Sequence, residues 1–334
     1  MIGKRNSKSA KRRTKMTRTG GVMTILSGLA LLTVFAASTA WGQTVPHMRT
    51  RKLTSMTSAE IEEYLKRNNV IIIPVGPVEM LGESPVESEY VGPLGWSIKM
   101  AEKADALVFP HFVYCYPGGT VSSRATFYMS MLESSEFLLK ISQSLVRQGF
   151  RRFFFVSSHG PAEHTIYPVI RELYEKHGIA AMETSNLLRD AQAKVREAGV
   201  KTDKISYGLY QIAGQLEDLP LESELPEASR QQPPQAAPAG RGAAQPTGEP
   251  TALNMGMGNI YVDASEHGRS GAHPRTAEIR AQYAKEGVAQ VEQVVAQMNF
   301  ELPLRLMNQQ IKTYREVVVP KFGDLVDFDL VNVK

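Results

Sequence analysis

The sequence predicts an α/β protein of the three-layer α/β/α kind, with a mostly parallel central sheet and helices on both faces. Three observations carry this. Runs such as Val70-Ile71-Ile72-Ile73 and Phe153-Phe154-Phe155-Val156 lack the apolar/polar alternation of a sheet with one wet face, so they read as strands covered on both sides. Between the runs lie segments with apolar residues at helical spacing. Strand and helix alternate along the chain, the order that builds a parallel sheet.

The elements follow in order. Residues 1–42 read as a signal peptide: eight cations before residue 19, no charge from Gly20 to Gly42, an apolar stretch from Val22 to Ala37, then small residues. Cleavage after Ala40 or Gly42 suits this pattern, and a retained N-terminal anchor is the alternative. The apolar stretch is short and interrupted for a span of about 20 residues, so no stable membrane span is expected after signal cleavage. Residues 43–334 are expected to form a single domain, placed in the periplasm or secreted. Thr57-Ser58-Ala59-Glu60 is a capping box that starts a helix ending near Arg67. The run Val70–Gly76 follows and reads as a central parallel strand leading into a loop, then a helix from about Leu94 to Lys103 and a strand from Ala106 to Pro110. A helix from about Ser135 to Arg147, closed by Gly149, leads into the strand Arg152–Val156. A further helix, about Ala162 to Lys176, is stopped by Gly178 before a strand Ile179–Met182. Residues 226–250 hold 6 Pro, 6 Ala, 4 Gln and 3 Gly, with almost nothing to bury, and read as a disordered insertion within the domain. Order is expected to resume near Asn259, with a long amphipathic helix from Thr276 to Met298. The weak alternation from Glu301 to Lys334 assigns no element.

Charge and cysteine content narrow the function. The chain has 38 Lys+Arg against 34 Asp+Glu, but without the leader's eight cations 30 remain, so the body carries about −4. A basic isoelectric point near 9.0 therefore belongs to the leader and does not point to nucleic acid. The single cysteine, Cys115, excludes an intrachain disulfide and a cysteine-rich zinc site, and its apolar surroundings read as a buried, inert thiol. No phosphate-binding P-loop, G-x-S-x-G elbow or G-x-G-x-x-G fingerprint occurs.

The loops after the two most strand-like runs carry the candidate chemistry. Glu79, Glu83, Glu87 and Glu89 follow the first, and Ser157-Ser158-His159-Gly160 with Glu163 and His164 follows the second. Ligands gather at the carboxyl ends of strands in such sheets. Carboxylates and an imidazole there suit a divalent cation such as Zn²⁺ or Mn²⁺.

The order of the pieces is more specific than any one of them. Pro74-Val75-Gly76-Pro77-Val78-Glu79, then Tyr116-Pro117-Gly118-Gly119-Thr120, then Gly149-Phe150-Arg151-Arg152 and Ser158-His159-Gly160, closely resemble the creatininase family of metal-dependent amidohydrolases. Gly268-Arg269-Ser270-Gly271-Ala272-His273-Pro274 resembles that family's closing G-x-x-G-D-P element. The resemblance implies a layered α/β/α domain, assembly into homo-oligomers, usually hexamers, and a dinuclear metal centre that opens an amide or lactam. Carried over residue by residue, it makes Glu79, Glu89 and His159 metal ligands. Three positions depart from the pattern: Leu81 and Ile212 stand where histidines are expected, and Pro161 where a further ligand is expected. A single ion, Zn or Mn, is therefore implied, unless Glu163 or His164 swings in. Glu217 matches a glutamate of a later motif and is assigned as general base or additional ligand. Glu83 and Glu87 are expected to face solvent, and His111 to be structural.

The implied function is an exported creatininase-like amidohydrolase that cleaves a C–N bond of a small cyclic or linear amide with one metal. The alternative is a catalytically inactive relative serving as a small-molecule binding or assembly module in the cell envelope.

Overall fold

Thr57 opens the first helix as its spacing to Glu60 predicts. Thr57 Oγ1 accepts from the Glu60 N–H at 3.3 Å, and Glu60 Oε2 accepts from the Thr57 N–H at 2.8 Å. Such caps contribute about 1 kcal/mol each. A computed structural model describes residues 45–227, apart from 83 and 122, and residues 273–323. The expected signal peptide, residues 228–250 of the expected insertion and the expected resumption near Asn259 lie outside the described residues.

Helix α1 spans Ser58–Arg67 and leads to strand β1, Val70–Pro74. Then come α2 (Ser88–Ala104), β2 (Leu107–Val108), α3 (Met131–Gln148), β3 (Arg152–Val156), α4 (Glu163–His177) and β4 (Ala180–Glu183). Helices α5 (Ser185–Glu197) and α6 (Ile205–Ala213) follow, and after the undescribed stretch α7 (Ala277–Gln297) and α8 (Glu301–Thr313). The strands form one parallel sheet in the order β2-β1-β3-β4. Ile71 sits beside Leu107 on one side and Phe153 on the other, and Pro74 beside Val156.

Both sheet faces are covered, which explains the strands' continuous apolar runs. Val70, Ile72, Phe154 and Val156 join a core with Trp96 and Met100 of α2, Leu209 of α6 and Val291 and Val294 of α7. Ile71, Ile73, Phe153 and Phe155 face the opposite core, built with Tyr64 of α1, Leu138 and Leu145 of α3, and Ile166 and Leu173 of α4. This is the three-layer α/β/α architecture the sequence predicts.

Several boundaries differ. Helix α2 begins at Ser88, six residues before the expected Leu94, and runs through Pro93. Pro93 lies past the first turn and removes the bond its N–H would give the Glu89 carbonyl, yet the helix continues through it. Helix α3 begins at Met131 because Ser130 and Glu133 form a second capping box. Strand β2 is confined to Leu107–Val108 at the sheet edge, shorter than Ala106–Pro110. As far as it is described, the tail that had no assigned element is helical: α8 continues into a π-helical turn, Tyr314–Val318. Among the described residues, no helix is long and apolar enough to cross a membrane.

Candidate metal centre

The sheet order fixes where a site can form. From β1 the chain first adds β2 on one side and then β3 on the other, so the topology reverses between β1 and β3, the point beyond whose carboxyl ends such sheets gather ligands. Glu79 lies five residues past the end of β1 and His159 three past β3. Glu89 reaches the same place from the first turn of α2, where the helix dipole favours a carboxylate.

Backbone contacts hold each of these loops. The Glu79 N–H donates to the Val86 carbonyl at 3.1 Å, closing the acidic loop on itself. The flanking residues are clipped to a neighbouring segment: the Phe127 N–H donates to the Val78 carbonyl at 2.8 Å, and the Met80 N–H to Thr126 Oγ1 at 3.1 Å. Gly76 permits the approach of α2, since a Cβ there would lie 1.9 Å from the Glu89 carbonyl oxygen. Residue 93, one helical turn after Glu89, is a proline with no N–H to offer that carbonyl, which turns instead against Gly76. On the other loop, Ser157 Oγ accepts from the His159 N–H at 3.2 Å.

One donor atom from each of Glu79, Glu89 and His159 lies within 4.8 Å of the others. His159 Nδ1 is 3.0 Å from Glu79 Oε1 and 3.8 Å from Glu89 Oε2. Thr120 Oγ1 donates to the other oxygen of Glu79 at 2.6 Å. Glu79 is fully buried, the His159 side chain is 4% exposed, and that of Glu89 is 20% exposed, so the group opens to solvent on the Glu89 side. Burial opposes a charge on His159, but Glu79, Glu89 and the Tyr116 backbone outweigh it and raise its pKa. Burial pushes the Cys115 thiol well up, and the same two carboxylates push it further, so it stays protonated, the inert thiol expected.

These residues suit a divalent cation. Two carboxylates converging on one buried imidazole concentrate negative charge where water screens little, and a divalent ion offsets it better than one proton does. Two carboxylates and one histidine with a solvent-facing side match the three-ligand pattern of hydrolytic zinc sites.

The family model described as Creatininase, creatinine amidohydrolase, matches residues 54–295. The chain belongs to the creatininase family. Membership rests on that model, which spans well over half of the chain. Creatininases are metal-dependent amidohydrolases acting on small molecules. Among solved structures, the crystal structure of creatinine amidohydrolase (creatininase) is 18% identical, covering 75% of this chain and 98% of its own, with a TM-score of 0.46. A mutant creatininase complexed with creatine is 17% identical, over 78% of this chain and 99% of that one, TM-score 0.49. A mutant creatininase of the Zn-Zn type is 17% identical, over 74% and 98%, TM-score 0.46. No curated protein matches the chain.

The positions where the resemblance leads one to expect further ligands hold packing residues. Leu81 is 9% exposed, and Ile212 packs against the α2–α6–α7 core. The ring of Pro161 lies over Gly118, whose φ is +74° and where a Cβ would come within 2.6 Å of Pro161 Cγ. Glu217, expected as general base or additional ligand, is not brought to the group: its side chain is 82% exposed and pairs with the buried Arg280 guanidinium. Glu163, half-buried on α4, bears on Glu183 and Tyr167 rather than joining the three donors, and His164 is exposed beside Tyr116. Glu87 does not face solvent freely as expected. It accepts from Tyr90 Oη at 3.0 Å and Gln215 Nε2 at 3.1 Å, and burial raises its pKa. His111 stacks on Tyr90 with ring centroids 4.4 Å apart, in keeping with a structural role. Glu83 lies outside the described residues. Thr120 is the residue that motif reading passed over: it closes the Pro117-Gly118-Gly119-Thr120 turn, but nothing in that turn names its partner 41 residues away.

Proposed function

We propose that this chain hydrolyses a C–N bond of a small cyclic or linear amide, using one divalent cation, Zn²⁺ or Mn²⁺, held by Glu79, Glu89 and His159. The observation that carries the reading is the convergence of these three donors at the reversal point of the sheet. Such an ion, when bound, polarises the amide carbonyl and lowers the pKa of water toward about 7. One ion rather than two is favoured because Leu81 and Pro161 offer no donor atom where a second set would stand. Glu79 and His159 are sealed, so they serve as fixed donors. Glu89, the partly exposed member, sits where water and substrate enter and can accept a proton at its carboxylate. Creatinine itself is disfavoured because Leu81 and Ile212 cannot handle a proton. The leader supports export to the periplasm or beyond, and family membership supports a homo-oligomer, a hexamer by resemblance.

A second reading has its own observation. Glu217 is engaged by Arg280, and the positions of two expected histidines are aliphatic, as in a retired relative kept as a binding or assembly module. Metal analysis of the purified chain after growth with Zn²⁺ or Mn²⁺, followed by an amide panel, separates the two. About one equivalent of metal and metal-dependent turnover, both lost in Glu79→Ala and His159→Ala, is expected. A chain that stays metal-free, or holds metal but turns over no amide, favours the module.

A further inference from the structure

We infer that Thr120 is a positioning residue for the cation, committing one oxygen of Glu79 so that the other is presented with His159. This rests on the metal reading above. Thr120 is fully buried, and its Oγ1 lies 2.6 Å from Glu79 Oε2 and 3.3 Å from the Pro117 carbonyl. A hydroxyl has one proton to donate, and the short distance to a carboxylate is that of a charge-assisted bond, so the proton goes to Glu79. Glu79 Oε1 is thereby turned toward His159 Nδ1, 3.0 Å away. The bond fixes the carboxylate's rotamer, the property a ligand needs before an ion arrives.

The fold keeps Thr120 in place by a contact between its turn and the His159 loop. The turn that carries it is pressed by Pro161, two residues past His159, onto the bare face of Gly118. Pro161 stands where the family pattern places a further ligand. Here that position locks the Thr120 turn against the His159 loop, and the donor lost from one ion position serves the geometry of the other.

Thr120→Ser and Thr120→Ala lose the same methyl group and differ only in the hydroxyl. Calorimetric titration of the metal-stripped full-length chain with Mn²⁺ and with Zn²⁺ is expected to show Thr120→Ser close to wild type and Thr120→Ala weaker by about 10- to 100-fold. Thr120→Val, which keeps the shape without the donor, should match Thr120→Ala. Equal affinities across the Ser, Ala and Val variants overturn the proposal while leaving the metal reading intact. Failure of Ala and Val to fold, beside a folded Ser variant, assigns the hydroxyl to the fold and overturns it too. A wild-type chain that takes up neither ion ends the metal reading itself.

Discussion

Single residues decide whether the three donors meet. Gly76 has no function of its own in the site, yet the absence of its Cβ lets the Glu89 carbonyl pass where a methyl group would overlap it. Pro93 acts from the other side, since it cannot draw that carbonyl back into the helix. Gly76→Ala is therefore expected to push the start of α2 outward, costing about 1–3 kcal/mol of stability as other forced overpacking does. The same displacement should weaken Mn²⁺ binding, because Glu89 moves with its backbone. Chemical denaturation and metal titration of the variant check both effects, and an alanine variant that binds Mn²⁺ like wild type would contradict this account of Gly76. Leu81 and Ile212, where the resemblance expects histidines, illustrate the opposite case: both are taken up in packing.

At the scale of elements, α2 links the site to the rest of the sheet, and Asp105 secures its far end. Asp105 caps α2 in the left-handed region at φ +48° and accepts from Arg51 Nη1 at 3.0 Å, Asn68 Nδ2 at 3.2 Å and Arg67. Burial pushes its pKa up, but the two arginines and the amide outweigh burial and hold it below the usual carboxylate range. The folded pKa thus lies below the unfolded value of about 3.9, so the ionised group stabilises the fold above that value. Its contribution is lost as pH falls through the folded pKa. Asp105→Asn, which tolerates the left-handed backbone, should cost about 1–3 kcal/mol at pH 7. The gap to wild type should narrow below about pH 3.9. Urea denaturation at pH 7 and pH 3 measures it, and a gap independent of pH would remove the carboxylate from the explanation.

In the whole molecule, α6 and α7 meet almost backbone to backbone on the face of the sheet shared with α2. A Cβ on Gly208 would lie 2.2 Å from the carbonyl carbon of Gly287, and one on Gly95 of α2 would come 2.7 Å from the Leu209 carbonyl oxygen. Three glycines thus set the spacing of three helices, and α2 carries Glu89 at its other end. Gly208→Ala should lower the midpoint of thermal unfolding by several degrees, since about 1 kcal/mol shifts the midpoint of a domain above 150 residues by about 2–4 °C. Calorimetry of the variant is the check; an unchanged midpoint would mean that the helices part without cost.

The sequence by itself determined the layers, the strands' order and the three candidate donors. A strand covered on both faces is a local run of apolar residues, so β3 was legible residue for residue and β1 up to its end, which falls at Pro74 rather than Gly76, and the order of the loops pointed to Glu79, Glu89 and His159. The start of α3 was not read correctly: the apolar stripe alone begins it near Ser135, and the Ser130–Glu133 capping box that sets it at Met131 was missed. What only the tertiary structure decided depends on residues far apart in the chain. Thr120 reaches Glu79 across 41 positions, Gly76 is required by the backbone of Glu89, and Glu217 is drawn to Arg280, 63 positions away. Local periodicity records which face of an element is buried; it does not record which buried groups touch, because that is settled only when the layers close and each polar side chain must find the partner that geometry leaves it.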